Sequence, residues 1–283
     1  MSEGEILVLM LSFLGGGASW LSWYHPLASV VTWPPAGGIG KALGLAPVFC
    51  LGGLLVVLTT GASFDVVDAP EYIFFYLAMG MAWLGFFRLG LSILGILWRD
   101  DALERGNRAA AISVVAGMVG LTACFAGANI GDGPDWSCVV FPAFLATLAW
   151  FILVAGFQAA TNMVDKITIE RDEAASIRHG GLMVAMGLVC GRGAAGDWTS
   201  AADTVAEFWV TLPAILLVVV AAWVERGYRP DELRREATAA SQRLSSAALA
   251  VFYMLLAVTF IAWSLPLPSN PKYRTAAQTE ERE

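Results

Sequence analysis

The stretch that decides the fold runs from Trp98 to Gly127 and reads WRDDALERGNRAAAISVVAGMVGLTACFAG. A short charged segment leads into a run of mainly Ala, Gly and Val. About 20 such residues cross a hydrocarbon core of roughly 30 Å as a helix, at 1.5 Å per residue. A second version, IERDEAASIRHGGLMVAMGLVCGRG from Ile169 to Gly193, aligns with the first at a shift of 65 residues. The pattern predicts a repeated unit in which a charged hinge opens a small-residue helix.

The composition places the chain among membrane proteins. Hydrophobic residues make up 57% and charged residues 14% of the 283 residues, and the mean hydropathy is +0.65. Too few polar side chains are therefore present to coat a soluble globule, and the lipid bilayer is the first expected partner. Apolar runs without period-two alternation favour helices over a closed barrel. The net charge of −7 is not pooled in one patch, which excludes a basic surface for nucleic acid.

Eight spans can be placed along the chain, which predicts an all-α, polytopic helical bundle with about eight transmembrane helices. Their approximate ranges are 5–23, 42–60, 71–98, 109–130, 138–162, 174–192, 203–224 and 245–265. Twelve Lys and Arg residues, including Arg178, are assigned to the connections after odd-numbered spans, against one after even-numbered spans. The positive-inside rule then predicts a multi-pass protein with its basic connections in the cytoplasm and both termini outside.

The shift of 65 residues extends beyond the small-residue helices. It pairs Ala109 with Ala174, Met118 with Met183, and the turn Gly131-Asp132 with Gly196-Asp197. The predicted unit is a helical hairpin, with weaker copies on either side, and the two small-residue helices are expected to pack at the centre. The predicted organisation is an N-terminal hairpin (1–70), a central hairpin pair (71–198), a C-terminal hairpin (199–266) and a polar tail (267–283).

The openings of the two small-residue helices carry a family resemblance. The first reads Gly106-Asn107-Arg108-Ala109-Ala110-Ala111, and the second reads Asp172-Glu173-Ala174-Ala175, with Asp172 at the Asn position. From about residue 72 to 198 the chain resembles the YjfL-like bacterial membrane proteins, the family called domain of unknown function 350. The resemblance implies a location in the bacterial cytoplasmic (inner) membrane and an association with envelope-stress systems. The family offers no activity that could be carried over to this chain.

Arg88 is the charged residue that the sequence places deepest in a span. It lies ten residues before Trp98, about 15 Å from the inner end of the predicted helix. A guanidinium at that depth should face the bundle and have a partner. Two interpretations stay open: Arg88 anchors the structure, or it contacts an anion or solute along a pore.

Two further groups of charged or polar residues are candidates for function. Asp65, Asp132 and Asp197 occupy matched outer positions, where they either form turns or make a cation-binding ring at a pore mouth. The inner hinges either complement the helix dipoles or dock a cytoplasmic partner protein. The hinge candidates are Glu104, Arg105, Asn107, Glu170, Arg171 and Asp172.

The residue patterns favour a protein that is not an enzyme. They include no nucleophile with a base, no paired carboxylates in mid-span and no metal-ligand spacing among the four cysteines, so neither a metal nor a cofactor is expected. The leading hypothesis is a non-enzymatic, stress-associated membrane component or scaffold, and exposed small-residue faces would allow a homo-oligomer. The alternative is a channel or transporter for a small solute or ion that uses Arg88 and the outer Asp residues. A polar cavity from the outer turns to Arg88 would favour transport, and a dry, packed centre would favour the scaffold.

Overall fold

The computed structural model describes residues 1–30, 37–227 and 239–273, and in these ranges it contains helices and no strand. Eight of the helices are long and apolar enough to cross a membrane, as the sequence predicts. We number them α1 (Glu3–Ser29), α2 (Gly38–Thr60), α3 (Pro70–Ile93), α4 (Arg108–Gly127), α5 (Ser137–Thr161), α6 (Glu173–Ala194), α7 (Ala201–Gly227) and α8 (Ala239–Trp263).

The chain alternates between two ends of the bundle. The hinge end contains a π-helical turn (Trp98–Glu104) and a short helix (Met163–Thr168). The turn end contains another short helix (Phe64–Val67) and the connections 128–136 and 195–200. A 3-10 step (Phe208–Thr211) interrupts α7. All even-numbered helices consequently run from the hinge end to the turn end.

Two span boundaries differ from the sequence prediction. The third span was expected to reach residue 98, but α3 ends at Ile93. Gly95 adopts a φ of +83°, and the backbone N–H of Leu97 donates to the Asp101 carboxylate at 2.9 Å, so a separate turn starts there. The first span was expected to end near residue 23, but α1 continues through Pro26 to Ser29. Residues 31–36, between the first two predicted spans, lie outside the described residues.

The eight helices form two layers. In one layer α2, α4, α6 and α8 lie side by side in that order. Behind them α3 packs on α4 and α5 packs on both α4 and α6, while α1 and α7 cover α3 and α5 respectively. Since α4 and α6 are flanked on both sides and covered from behind, they are the most buried of the eight candidate spans.

The small residues of α4 and α6 bring the two backbones into direct contact. A Cβ atom added at Gly187 would lie 2.6 Å from the Cα atom of Gly120, and one added at Gly127 would overlap the Gly191 carbonyl oxygen. This confirms the prediction that the two small-residue helices form the packing centre. Gly181 serves a different neighbour, because its Cα faces Ala250 of α8.

The two hinges have matching backbone geometry despite their different sequences. Gly106 and Arg171 both adopt left-handed conformations, with φ of +59° and +56°. The next residue in each hinge, Asn107 or Asp172, caps the following helix through its side-chain oxygen. A residue other than Gly rarely has a positive φ, so Arg171 indicates that the second hinge is held in this shape by its surroundings.

Candidate functional site

Arg88 lies in a closed site between α1 and α3. Its Nη2 donates to the Ser19 carbonyl oxygen at 2.6 Å, to the Ser19 hydroxyl at 3.1 Å and to the Ser22 hydroxyl at 2.7 Å. The side chain is 2% exposed, and within the described residues its Nε has no hydrogen-bond partner. No acidic side chain in this part of the chain pairs with it. Its hydrogen-bond acceptors are therefore all neutral oxygens.

Three indole rings complete the Arg88 site. The guanidinium carbon lies 5.1 Å from the ring centroid of Trp23, 5.8 Å from that of Trp20 and 6.0 Å from that of Trp98. Trp23 and Trp98 are themselves stacked, with centroids 4.1 Å apart. Aromatic faces attract a desolvated cation through the ring quadrupole, so the rings replace part of the missing counter-charge.

Arg88 is closer to the helix end than the sequence indicates. Because α3 ends at Ile93, Arg88 lies five residues, or about 7–8 Å, from that end. The expectation of about 15 Å assumed that the helix continued to Trp98. Arg88 therefore lies in the hinge-side part of the bundle, next to the ring of Trp98 from the first hinge.

A second group of buried charges lies among α6, α7 and α8, also near the hinge end. Arg178 donates from Nε and Nη2 to the two carboxylate oxygens of Glu225, at 2.7 and 2.8 Å. Its Nη1 donates to the Ser246 hydroxyl at 2.8 Å, and Lys166 adds a third contact to Glu225 at 2.9 Å. Arg178 and Glu225 are 2% and 3% exposed. The bidentate pair connects α6 with α7, and the contacts of Ser246 and Lys166 add α8 and the second hinge.

This charge cluster is not predicted by the sequence pattern, and two expectations were wrong. Arg178 was expected in a connection, but it is the sixth residue of α6. The seventh span was expected to end at residue 224, but α7 continues to Gly227 and includes Glu225. Arg88 is consequently not the one deeply buried charge of the described spans. The available signal was an Arg and a Glu near the same end of two consecutive spans.

His179, the neighbour of Arg178, joins a separate polar network in the core. Its Nδ1 lies 3.3 Å from the Ser113 hydroxyl, its Nε2 lies 3.5 Å from the Gln158 amide nitrogen, and its ring stacks on Phe157. Ser113 is also 2.8 Å from Ser176. These contacts connect α4, α5 and α6. Buried polar groups that satisfy each other fix the register of packed helices.

The three outer Asp residues take different roles at the turn end. The Asp197 carboxylate accepts the backbone N–H groups of Asp132 at 3.0 Å and Asn270 at 2.7 Å, while Asp65 accepts the Ser63 hydroxyl. Asp65 and Asp132, but not Asp197, line a cavity of about 30 Å³. Within the described residues, no group of three or more His, Cys, Asp or Glu side chains could hold a metal ion. The local geometry suits turn formation.

The six hinge candidates fall into helix caps and exposed charges. Asn107 is buried, accepts the N–H groups of Ala109 and Ala110, and donates to the Ile167 carbonyl at 2.7 Å. Asp172 accepts the N–H of Ala175 at 3.0 Å. The other four are exposed: Glu104, Arg105, Glu170 and Arg171. Glu104 pairs with Arg99 at 2.8 Å and Arg105 with Asp101 at 3.1 Å.

Two large clefts lie on the face of the α2–α4–α6–α8 layer that no other helix of the described chain covers. The turn-end cleft measures about 750 Å³ and the hinge-end cleft about 670 Å³, and each is lined by all four of these helices. Neither cleft is lined by Arg88, Arg178 or Glu225. The clefts are therefore separated from the buried charges.

Comparisons with known proteins found no matching family model, curated protein or solved structure. The function of the chain has to be inferred from its own geometry.

Proposed function

We propose that the chain is a non-enzymatic scaffold of the bacterial cytoplasmic membrane. Its helices anchor it in the bilayer, and its two hinges dock a cytoplasmic partner protein. A role beside envelope-stress systems is part of this proposal and rests on the resemblance to the YjfL-like proteins. A construction from repeated hairpins is a further part, supported by the matched caps at Asn107 and Asp172 and the matched left-handed residues before them.

The observation that carries the proposal is the dry, closed centre of the bundle. The glycine contacts between α4 and α6 leave no space for water between the two backbones. The Arg88 guanidinium is enclosed by two serines and three indole rings, and neither large cleft reaches it. A transport path would need polar, hydrated space along these groups.

The exposed hinge residues supply the docking surface. Glu104, Arg105, Glu170 and Arg171 combine both signs of charge at one end of the bundle. The excess of Lys and Arg in the same connections supports a cytoplasmic position for this end. A mixed pattern of charges favours specific recognition of a partner with the complementary pattern.

The test is a flux assay on the full chain in liposomes loaded with pH, potassium and chloride indicators. We expect the same leak rates as in protein-free liposomes for all three ions. A protein-dependent flux that Arg88→Leu abolishes would overturn the scaffold and establish transport. Matched liposomes that contain Leu89→Ala control for the purification, because Leu89 lies on the same helix and is half exposed.

The docking part needs its own experiment in cells. A photo-crosslinking amino acid at Arg105 or Arg171 should capture the same discrete partner band, and the same probe at Asp135 of the turn end should not. Equal adducts from the two ends, or none from either hinge, would reject a hinge-docked partner.

One observation favours transport as the second candidate. The Nε of Arg88 is buried and makes no hydrogen bond within the described residues, and charged residues inside membrane spans often mark ion pathways. In this alternative the serines and indole rings around Arg88 move apart, so that Arg88 contacts a small anion or solute. The flux assay separates the two candidates.

A further inference from the structure

The uncovered face of the α2–α4–α6–α8 layer is a groove that runs along the bundle. Its floor consists of small and aliphatic residues of α4 and α6, and its walls are α2 and α8. It is divided into the turn-end cleft and the hinge-end cleft described above. Both volumes fall within the roughly 300–1,000 Å³ of typical small-molecule sites.

Each cleft is apolar along most of its length. Each also contains one arginine, at the end of the cleft that is nearer to an end of the bundle. Arg192 lines the turn-end cleft and Arg108 lines the hinge-end cleft. Arg192 donates from Nε to the Ser264 hydroxyl at 3.1 Å and from Nη2 to the Leu265 carbonyl, which fixes its guanidinium at the cleft and leaves further N–H donors for a ligand. Arg108 is the exposed first residue of α4.

The acidic residues of the groove do not offset these two cations. The turn-end cleft has no acid in its lining. The hinge-end cleft has Glu173, and that carboxylate already pairs with Arg243 at 3.3 Å. Each cleft therefore presents an apolar channel in the membrane interior and a positive charge near one bilayer surface.

We propose that the groove binds two phospholipids with anionic headgroups, one in each leaflet. An acyl chain fits against the glycines and alanines of the floor, and the phosphate accepts hydrogen bonds from Arg192 or Arg108. Basic pockets between membrane helices bind lipid headgroups in this manner. The inference rests on the membrane location proposed above and adds a ligand class to the scaffold.

A second copy of the chain fits this face less well. A two-fold axis along the membrane normal keeps each residue at its own depth, and both copies present the same surface. Arg192 would then meet residues of another turn-end cleft, which has no acid in its lining. A lipid phosphate neutralises the charge directly.

Glycines on α2 allow each cleft to be filled separately without disturbing the helix packing. Gly53 lines the turn-end cleft, and a Cβ atom there would meet nothing within 4 Å. Gly52 has the same open surroundings but does not line the cleft. Gly53→Leu is therefore a plug, and Gly52→Leu is its matched control. Gly38→Leu and Gly40→Leu form the corresponding pair for the hinge-end cleft.

The experiment is native mass spectrometry of the purified full chain with added phosphatidylglycerol or phosphatidylcholine. We expect wild type to retain two phosphatidylglycerol molecules and to prefer them to phosphatidylcholine. Gly53→Leu and Gly38→Leu should each lose one, while Gly52→Leu and Gly40→Leu should match wild type. Arg192→Gln should weaken retention of one phosphatidylglycerol about tenfold, as expected for a lost charge-assisted hydrogen bond.

Three outcomes would overturn the lipid sites. These are equal retention in each plug and its control, equal retention of the two lipids by wild type, and a wild-type dimer that Gly53→Leu converts to monomers. A melting curve with added phosphatidylglycerol checks that the variants are folded. The lipid should raise the melting temperature of Gly53→Leu by less than that of Gly52→Leu. Failure of the membrane location would appear separately, as release of the chain from membranes by alkaline carbonate.

Discussion

Arg88 and Arg178 are equally buried, at 2% exposure each, but their charges are stabilised by different chemistry. Arg178 has a carboxylate partner that accepts two of its N–H groups. Arg88 has a carbonyl, two hydroxyls and three indole rings. A buried cation in an apolar helix thus does not require an acid, provided that enough dipoles and aromatic faces surround it.

Within the described residues, positive charge exceeds negative charge at each site. Glu225 is shared there by two cations, Arg178 and Lys166, and Lys166 retains 24% exposure of its side chain. At the Arg88 site the neutral groups leave the full charge in place. Removing one member of a site should therefore reduce the free energy of unfolding most where the groups left behind are charged and buried.

Glu225→Gln should have the largest effect of the variants that test this comparison. The change leaves Arg178 buried without its carboxylate, and breaking a buried ion pair costs about 3–5 kcal/mol. The free energy of unfolding, measured by SDS titration in mixed micelles, should fall by that amount. Glu207→Gln, an exposed position on the same helix, is the control.

A double variant distinguishes the loss of the ion pair from the loss of side-chain packing at the same site. Arg178→Leu/Glu225→Leu removes both buried charges and leaves Lys166 close to solvent. We expect it to be more stable than Glu225→Gln alone, because no buried arginine then remains that has lost the Glu225 carboxylate. A double variant as unstable as the single one would mean that packing, not charge, dominates at this site.

Arg88→Met should cost less, about 1–2 kcal/mol of unfolding free energy. The variant loses the hydrogen bonds to α1 and the contacts with the rings, but it leaves no charged group behind. The same titration measures the effect, and tryptophan fluorescence should change because Trp20, Trp23 and Trp98 surround the guanidinium. Leu89→Met is the control. A loss as large as that of Glu225→Gln would contradict the expectation that removing the Arg88 cation costs less than removing the carboxylate partner of Arg178.

Much of the fold follows from local pattern. The eight spans and the central position of α4 and α6 could be predicted because length, hydropathy and small residues act within each helix. The early end of α3 could not be predicted, since it depends on a positive φ at Gly95 and on the Asp101 side chain. The layer order also depends on contacts between distant spans.

The buried charges were predicted in part, for a physical reason. A lone cation in an apolar run is visible in sequence, as Arg88 was. Arg178 lies near a hinge that has charges of its own, and its partner Glu225 is 47 residues away, so neither position alone indicates a buried pair. The serines and indoles around Arg88 are ordinary interfacial residues until α1 packs on α3.

Lys166→Met should reduce the unfolding free energy by about 1 kcal/mol. Lys166 is partly exposed, so its ion pair with Glu225 is screened, and Glu225 keeps Arg178 as a partner. The expected loss is smaller than for either buried arginine site. Lys41→Met, at an exposed position of α2, is the control. A loss above about 3 kcal/mol would show that Glu225 needs both cations.

Ser22→Ala should have the smallest effect, about 0.5–1 kcal/mol. It removes one of three acceptors of the Arg88 Nη2. The two hydrogens of Nη2 keep the Ser19 carbonyl and hydroxyl, so the loss should be no larger than that of a neutral hydrogen bond, about 0.5–1 kcal/mol. The Ser19 carbonyl and the rings remain, so the cation keeps most of its surroundings. Ser29→Ala on the same helix, whose hydroxyl bonds to the His25 carbonyl and not to Arg88, is the control. Combining Ser22→Ala with Arg88→Met tests whether Ser22 acts through Arg88. The serine should contribute little to the free energy of unfolding once the cation is absent. Additive losses would mean that Ser22 stabilises α1 independently of Arg88.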